Sequence, residues 1–269
     1  MLADTIGAMS STDEPVVFDR AAGSYDETRG FPPGVDERVA ELIAQAGGLG
    51  PRSRLLEIGV GTGRVALPLA RRLRRVVGVD LSRPMMERLL AKRGGLPVEL
   101  ARADATRLPF PDASFDAALG VHVFHLVPRW REVLAELARV LRPGAPLIHG
   151  ADARMGDWAR WRDRFAVEHQ VENSGVPRDR FESFPEDEGW RALGPPRRIE
   201  FAREVEPRQL VDRIAQRCWS FTWKLSDAEI AEATEALRAE LLERFGELDR
   251  PASMPGGFWV RAYLPPGGS

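Results

Sequence analysis

The 269-residue chain has one cysteine, Cys218, two lysines and two tyrosines. A single cysteine excludes an internal disulfide and any cysteine-rich zinc site, and it fits a reducing compartment. Excess charge is missing too: 38 Lys+Arg stand against 40 Asp+Glu, a formal net charge of -2. That balance argues against a domain that holds nucleic acid by neutralising phosphates along a strongly basic face. Every basic residue except Lys92 and Lys224 is an arginine, a bias of coding composition rather than of recognition chemistry. Long apolar runs are absent as well. Ala117 to Val127 is the longest uncharged stretch in the apolar centre of the chain, well short of the roughly 18 residues that span a bilayer. Asp4 interrupts the only apolar stretch of MLADTIGAMSSTDEP, and no basic segment precedes it, so the expectation is a cytoplasmic protein that engages no membrane. A chain of this length buries enough surface to need neither a disulfide nor a metal staple.

What is present is an alternation. Between residues 35 and 151 short β-like runs alternate with helical patterns, the signature of a parallel sheet covered on both faces. Val35 to Ala46 puts Val39, Leu42, Ile43 and Ala46 on one helical face, and Gly47-Gly48 stops it. Strands are predicted at Arg54–Gly59, Val76–Asp80, Val98–Ala103, Phe115–Val121 and Pro146–Ala151. Helices are predicted between them at Val65–Leu73, Pro84–Ala91 behind a Ser82 cap, and Trp130–Leu141. After Ala151 the rhythm changes. Helical spacing recurs at Asp157–Glu172, from Pro207, and after the capping box Ser226-Asp-Ala-Glu229, with strands predicted at Arg198–Val205 and Phe258–Leu264. The predicted organisation is a disordered start at 1–14, one domain over 15–264 and a tail at 265–269. Within the domain, 35–151 forms the ligand-binding core, and 152–197 and 207–250 form a helical, substrate-selecting cap.

Chemistry concentrates in Glu57-Ile-Gly59-Val-Gly61-Thr-Gly63, where a strand ends and a helix begins. Glycines there let the backbone turn tightly and approach a ligand, while the free N–H groups of the next helix favour an anionic group. The dinucleotide fingerprint G-x-G-x-x-G needs glycine or alanine where Arg64 stands, which disfavours a nicotinamide dehydrogenase. Asp80 closes the second strand, placed to accept both hydroxyls of a ribose. Asp104-Ala105 closes the third, placed to take the amino group of an adenine, and Met85 offers apolar contact to the ring. All lie at the C-terminal edge of adjacent strands, where open α/β sheets bind ligands.

These residues resemble the class I S-adenosylmethionine-dependent methyltransferases, in the branch related to ubiquinone and menaquinone biosynthesis methyltransferases (the type 11 domain). The resemblance rests on LLEIGVGTGRVALPLA, VVGVDLSRPMMERL, ARADATRLPFPDASFDAALGVHVFHLVPRW and LARVLRPGAPLI, with Phe18 to Arg29 similar to that family's opening segment. It implies a three-layer, doubly wound, mostly parallel, seven-stranded Rossmann-like sheet with an antiparallel last strand. It also implies S-adenosylmethionine as cofactor and S-adenosylhomocysteine as product. Carried onto this sequence, it puts Gly59, Gly61 and Gly63 around the methionine part, Asp80 on the ribose, Asp104 and Ala105 at the adenine, and Tyr25 with Arg29 as a flap; Leu81 and Met85 are further expected cofactor contacts, and Glu57 is expected to organise the loop. The pattern gives out past Ile148, where the substrate is expected to be chosen.

His122 and His125 follow the fourth strand at the lip of this cleft. Either is a candidate general base, and His122 is also a candidate cofactor contact. No H-E-x-x-H or cysteine cluster suggests a metal. His149 and His169 read as packing or surface residues, and Cys218 has no activating partner. Trp158, Trp161, Trp190, Trp219, Phe221 and Trp223 read chiefly as core, with at least two expected to line an acceptor pocket. The expected activity is methyl transfer to a small-molecule oxygen, nitrogen or carbon nucleophile, the acceptor apolar or aromatic in part and the enzyme a monomer or homodimer. The alternatives are a methyltransferase acting on tRNA or protein, and a non-catalytic S-adenosylmethionine-binding protein.

Overall fold

A computed structural model describes residues 3–5, 16–153, 155–168 and 172–267. Its strands are β1 (Ala3–Thr5), β2 (Arg54–Ile58), β3 (Arg75–Asp80), β4 (Val98–Ala103), β5 (Ala117–Val121), β6 (Leu147–Ala153), β7 (Arg191–Ala192), β8 (Arg197–Val205) and β9 (Ala252–Leu264). The helices are α1 (Tyr25–Arg29), α2 (Val35–Gly47), α3 (Ala66–Ala70), α4 (Arg83–Lys92), α5 (Trp130–Val140), α6 (Gly156–Glu168), α7 (Phe184–Asp187), α8 (Pro207–Ala215) and α9 (Asp227–Phe245). The seven longer strands run in the order β4-β3-β2-β5-β6-β9-β8, with β1 added beside β4 and β7 beside β9. From β4 to β6 all pairings are parallel, whereas β9 is antiparallel to β6 and to β8. The order reverses between β2 and β5, which opens a crevice at the carboxyl ends of those strands.

Side chains alternating along each strand serve two different layers. On β2, Leu55 joins α2, α3 and α4 in one apolar cluster, while Leu56 and Ile58 join α5 in the other. A third cluster forms outside the sheet from Trp161 and Phe165 of α6, Leu210, Val211 and Ile214 of α8, and Ile230, Leu237 and Leu241 of α9. Ser226 caps α9 in the predicted capping box, accepting from the Glu229 N–H while the Glu229 carboxylate accepts from the Ser226 N–H.

Departures from the predicted elements have local causes. The fourth strand starts at Ala117 rather than Phe115 because the Asp116 carboxylate caps the Arg54 N–H at 2.8 Å and pairs with Arg142, leaving Phe115 in a single bridge to Leu141. β9 starts at Ala252, six residues before Phe258, because β8 supplies it with a partner as far as Val205. Within the start expected to be disordered, Ala3–Thr5 pairs with Ala101–Ala103, and the rest of that stretch lies outside the described residues, as does His169. No described helix is long and apolar enough to cross a membrane.

His149 of β6 is fully buried against Phe124, Phe181, Phe184 and Trp259, with Nε2 donating to the Phe181 carbonyl at 2.9 Å. Burial pushes its pKa down to about 4. The unfolded chain therefore binds the extra proton first, so stability rises with pH between about 4 and about 6.5, by roughly 3 kcal/mol across that window. We expect the midpoint of urea unfolding to fall between pH 6.5 and pH 4, and His149→Gln, which keeps a donor for Phe181, to flatten that acid limb. An unchanged slope in the variant would show that another group controls it.

Candidate active site

β2 ends at Ile58 and the chain turns through Gly59, Gly61 and Gly63, whose φ angles are 66°, 52° and 82°. A Cβ on Gly59 would stand 2.9 Å from Val123 Cγ2, and one on Gly63 2.7 Å from Leu89 Cγ, so both residues let packed side chains approach the loop. A Cβ on Gly61 would meet nothing within 4 Å, and this residue lines the cavity above the sheet.

Three carboxylates organise the strand ends. Asp80 accepts the Gly61 N–H through Oδ2 and the Ser82 N–H through Oδ1, each at 2.8 Å, and so ties the glycine loop to the turn after β3. Burial raises its pKa, an effect opposed by these amide bonds. Glu57 is 3% exposed, and its Oε2 is buried without a hydrogen-bond partner. Burial, with the Asp80 charge added, holds its carboxyl well above the usual range. Asp104 accepts the Thr106 N–H at 2.9 Å and pairs with Arg129 at 3.0 Å, which aims one oxygen at the turn and the other at the start of α5.

Around these groups lies a cavity of about 140 Å³. It brings together Tyr25, Arg29, Gly59, Gly61, Asp80, Leu81, Met85, Asp104, Ala105, His122 and His125. Of the site residues predicted from sequence, Glu57 and Gly63 do not line it. Gly63 packs against Leu89 and Leu67, and Glu57 points into the layer that contains Leu55.

The opening segment is fastened down by a residue that sequence reasoning passed over. Asp26 accepts from the Thr62 hydroxyl at 2.6 Å and from Lys92 Nζ at 2.7 Å, linking α1 to the glycine loop and to the end of α4. The signal was its position beside Tyr25 in the quoted segment. Val16 to Phe18, just before it, also line the cavity.

Arg64, first noted only as a departure from the dinucleotide pattern, forms a bidentate pair with Asp152 at 2.6 and 3.3 Å and stacks 3.7 Å above Phe31. Asp152 is thereby held well below the usual carboxylate range, despite its burial. Its backbone N–H donates to His122 Nε2 at 2.9 Å, with its Oδ2 3.3 Å from the same nitrogen. Burial lowers the His122 pKa, so the ring is neutral with its proton on Nδ1. The nitrogen that a base would use is thus engaged. His122 also holds a positive φ of 53°, a strained backbone of the kind found at functional sites. His125 stands edge-on to His122, with 6.3 Å between ring centroids.

A second cavity of about 410 Å³ adjoins the first and shares Val16, Arg29, His122, His125, Leu126 and Ser220 with it. Phe181, Trp219, Phe221 and Trp259 give it aromatic walls, while Glu172, Arg178, Asp179, Glu182 and Lys224 add charge. Two of the aromatic residues considered for an acceptor pocket, Trp219 and Phe221, line it. Trp161 and Trp190 are core, and Trp223 packs on Phe18 beneath Arg20. The side chain of Trp158 lies outside the described residues. Trp259 was missed because its place depends on the β6–β9 register, which pairs it with Ala151. Cys218 is half-buried, and burial raises its thiol pKa.

Comparison with known proteins agrees with this geometry. Residues 56–149 match the family model described as a methyltransferase domain. A fatty-acid O-methyltransferase of Mycolicibacterium smegmatis is 40% identical over 113 residues, 40% of this chain and 41% of that protein. A phosphatidylethanolamine N-methyltransferase of Cereibacter sphaeroides is 35% identical over 150 residues, 49% of this chain and 71% of that protein. The match thus spans about two fifths of the fatty-acid enzyme and over two thirds of the other. Among solved structures, Haemonchus contortus phosphoethanolamine N-methyltransferase 2, crystallised with S-adenosyl-L-methionine, has a TM-score of 0.54 at 20% identity, covering 92% of this chain and 57% of that one. A glycine loop closing β2, acids ending β3 and β4, and this extent of identity converge on one assignment: the chain belongs to the class I S-adenosylmethionine-dependent methyltransferases, in the type 11 domain family.

Proposed function

We propose that the chain transfers a methyl group from S-adenosylmethionine to a small molecule held in the second cavity. The observation that carries this reading is the junction of the two cavities at Arg29, His122 and His125. S-adenosylmethionine, when bound, supplies a methyl group already activated on a cationic sulfur.

The residues present fit that group. The Gly59–Gly63 turn, with Gly59 and Gly61 lining the cavity at positive φ, lets an amino acid moiety approach the backbone closely. Asp80 keeps lone pairs for ribose hydroxyls after serving two amides. When the cofactor is bound, Leu81 and Met85 would meet its adenine ring, Asp104 with Ala105 would take the amino edge, and Tyr25 with Arg29 would close the site; all of them line the cavity. Leucine, valine and aromatic walls exclude water and hold the acceptor in line, and such orientation supplies on the order of 7–11 kcal/mol in favourable cases. With its proton on Nδ1, His122 acts as a hydrogen-bond donor rather than as a base, which leaves His125 to accept a proton where the acceptor carries one.

Two named relatives act on a fatty acid and on a phospholipid, and aromatic walls with charged groups suit an amphiphilic acceptor of that kind. The test is release of S-adenosylhomocysteine from S-adenosylmethionine in the presence of a panel of long-chain acids, amines and phenols. Turnover with a member of the panel is expected. Tight S-adenosylhomocysteine binding with turnover only on tRNA or protein, or with none at all, would contradict the proposal.

A further inference from the structure

A third cavity, of about 130 Å³, lies among α1, α6, α8, β8 and β9, and shares Arg29, Asp152 and Trp219 with the second. Three guanidinium groups converge on it: Arg29 of α1, Arg203 of β8 and Arg213 of α8. Neutral groups meet them. Arg203 donates to the Gly30 carbonyl at 3.0 Å, Arg213 reaches the Glu27 carbonyl at 3.5 Å, and Arg29 lies 5.6 Å from the Trp219 ring centroid. Among the described residues none of the three forms an ion pair. Asp152 is the carboxylate that acts on Arg29 and Arg203, and it is already paired bidentately with Arg64. Burial lowers the pKa of all three, and repulsion from Arg64 and Arg213 adds to it at Arg29 and Arg203.

Gathering three guanidinium groups around a half-buried space whose one lining carboxylate, Asp152, is already paired with Arg64 is unfavourable unless an anion completes the arrangement. Arginine forks match the two-oxygen edge of a carboxylate or phosphate, and the bonds formed are charge-assisted. Apart from Asp152 and Thr28, the rest of the lining is largely apolar, with Phe201, Leu210 and Met254 among it. The space thus offers a cationic end and a greasy wall, continuous through Arg29 and Trp219 with the cavity where the acceptor is placed.

We propose that this third cavity binds an anionic group, carboxylate or phosphate, of the methyl acceptor, with Arg203 and Arg213 as its anchors. The proposal rests on the methyl-transfer reading and adds the acceptor's chemical class, an amphiphile carrying an oxyanion. Whatever anionic group Arg29 meets at the cofactor cavity, Arg203 and Arg213 line the third cavity and not the first.

The experiment is calorimetric titration of the full chain, saturated with S-adenosylhomocysteine, using decanoate, decyl phosphate and decanol. At least one anion is expected to bind ten times or more tightly than decanol, and the tighter of the two identifies the head group. Arg213→Met and Arg203→Met are each expected to weaken that anion at least tenfold while S-adenosylhomocysteine affinity stays within twofold. Because Arg203 also holds the Gly30 carbonyl, Arg213→Met decides the matter where Arg203→Met does not fold. Decanol binding as tightly as both anions, or anion affinity unchanged in Arg213→Met, would overturn the proposal. Wild-type protein that binds no S-adenosylhomocysteine would instead overturn the methyl-transfer reading beneath it.

Discussion

Asp80→Ala is expected to weaken S-adenosylhomocysteine binding at least a hundredfold, as measured by titration calorimetry. The carboxylate has two tasks. It holds the Gly61 and Ser82 amides at 2.8 Å, which sets the curvature of the glycine loop, and in the proposed function it also accepts two ribose hydroxyls from its place in the cavity lining. Hydrogen bonds to a charged group contribute roughly 1.5–3 kcal/mol each, so losing two costs about 3–6 kcal/mol. At about 1.4 kcal/mol per tenfold in affinity, that is a factor of at least a hundred. Alanine also leaves two inward-facing amides without an acceptor, which adds to the loss. His125→Ala, by contrast, removes a ring at the junction of the cavities and should change S-adenosylhomocysteine affinity by no more than a few-fold. Normal binding by Asp80→Ala would mean that the ribose is held elsewhere and that the cleft is misread.

The largest loss of stability is expected from Asp152→Ala. Arg64 is 9% exposed, sandwiched between Phe31 and the Asp152 carboxylate. Removing the acid leaves that guanidinium buried without a counter-charge and removes the carboxylate that acts on Arg29 and Arg203. Breaking a buried pair from one side costs about 3–5 kcal/mol. For a chain of this size that is a fall in Tm of roughly 6–20 °C in a thermal melt. The double variant Arg64→Met/Asp152→Leu should recover much of it, since replacing both charges by apolar groups removes the uncompensated ion. A double variant no more stable than Asp152→Ala would show that the pair acts through the His122 contact or the neighbouring arginines rather than through its own neutralisation.

The parts of the molecule that were legible in the sequence share a physical reason: their information is local. A strand, a glycine turn and a helix occupy consecutive residues, so Leu55-Leu56, Gly59, Gly61 and Gly63 announce both the edge of the sheet and the kind of group that approaches it. Asp80 and Asp104 were legible because a residue that closes a parallel strand has its location set by the strand itself. Asp152 was not, because nothing in residues 147–153 signals that Arg64, 88 residues earlier, will meet it. Trp259 depended in the same way on an antiparallel register between distant segments. The arginines of the third cavity were hidden by composition. Where nearly every basic residue is arginine, the residue type carries no message, and only the fold shows that Arg203 and Arg213 line one half-buried space with Arg29. His122 lines the cavity just after β5, but its tautomer depends on the Asp152 amide, a contact between β6 and the end of β5 that no local sequence signals.

In the proposed function, the cleft above β2, β3 and β4 holds the methyl donor with its reactive sulfur turned toward the second cavity. A crystal structure of the protein with S-adenosylhomocysteine tests it most directly. The expected result is ribose hydroxyls on Asp80, the adenine between Met85 and the Asp104-Ala105 turn, and the sulfur facing the space bounded by His122, His125 and Trp219. S-adenosylhomocysteine bound elsewhere, or with its sulfur turned away from that space, would contradict it.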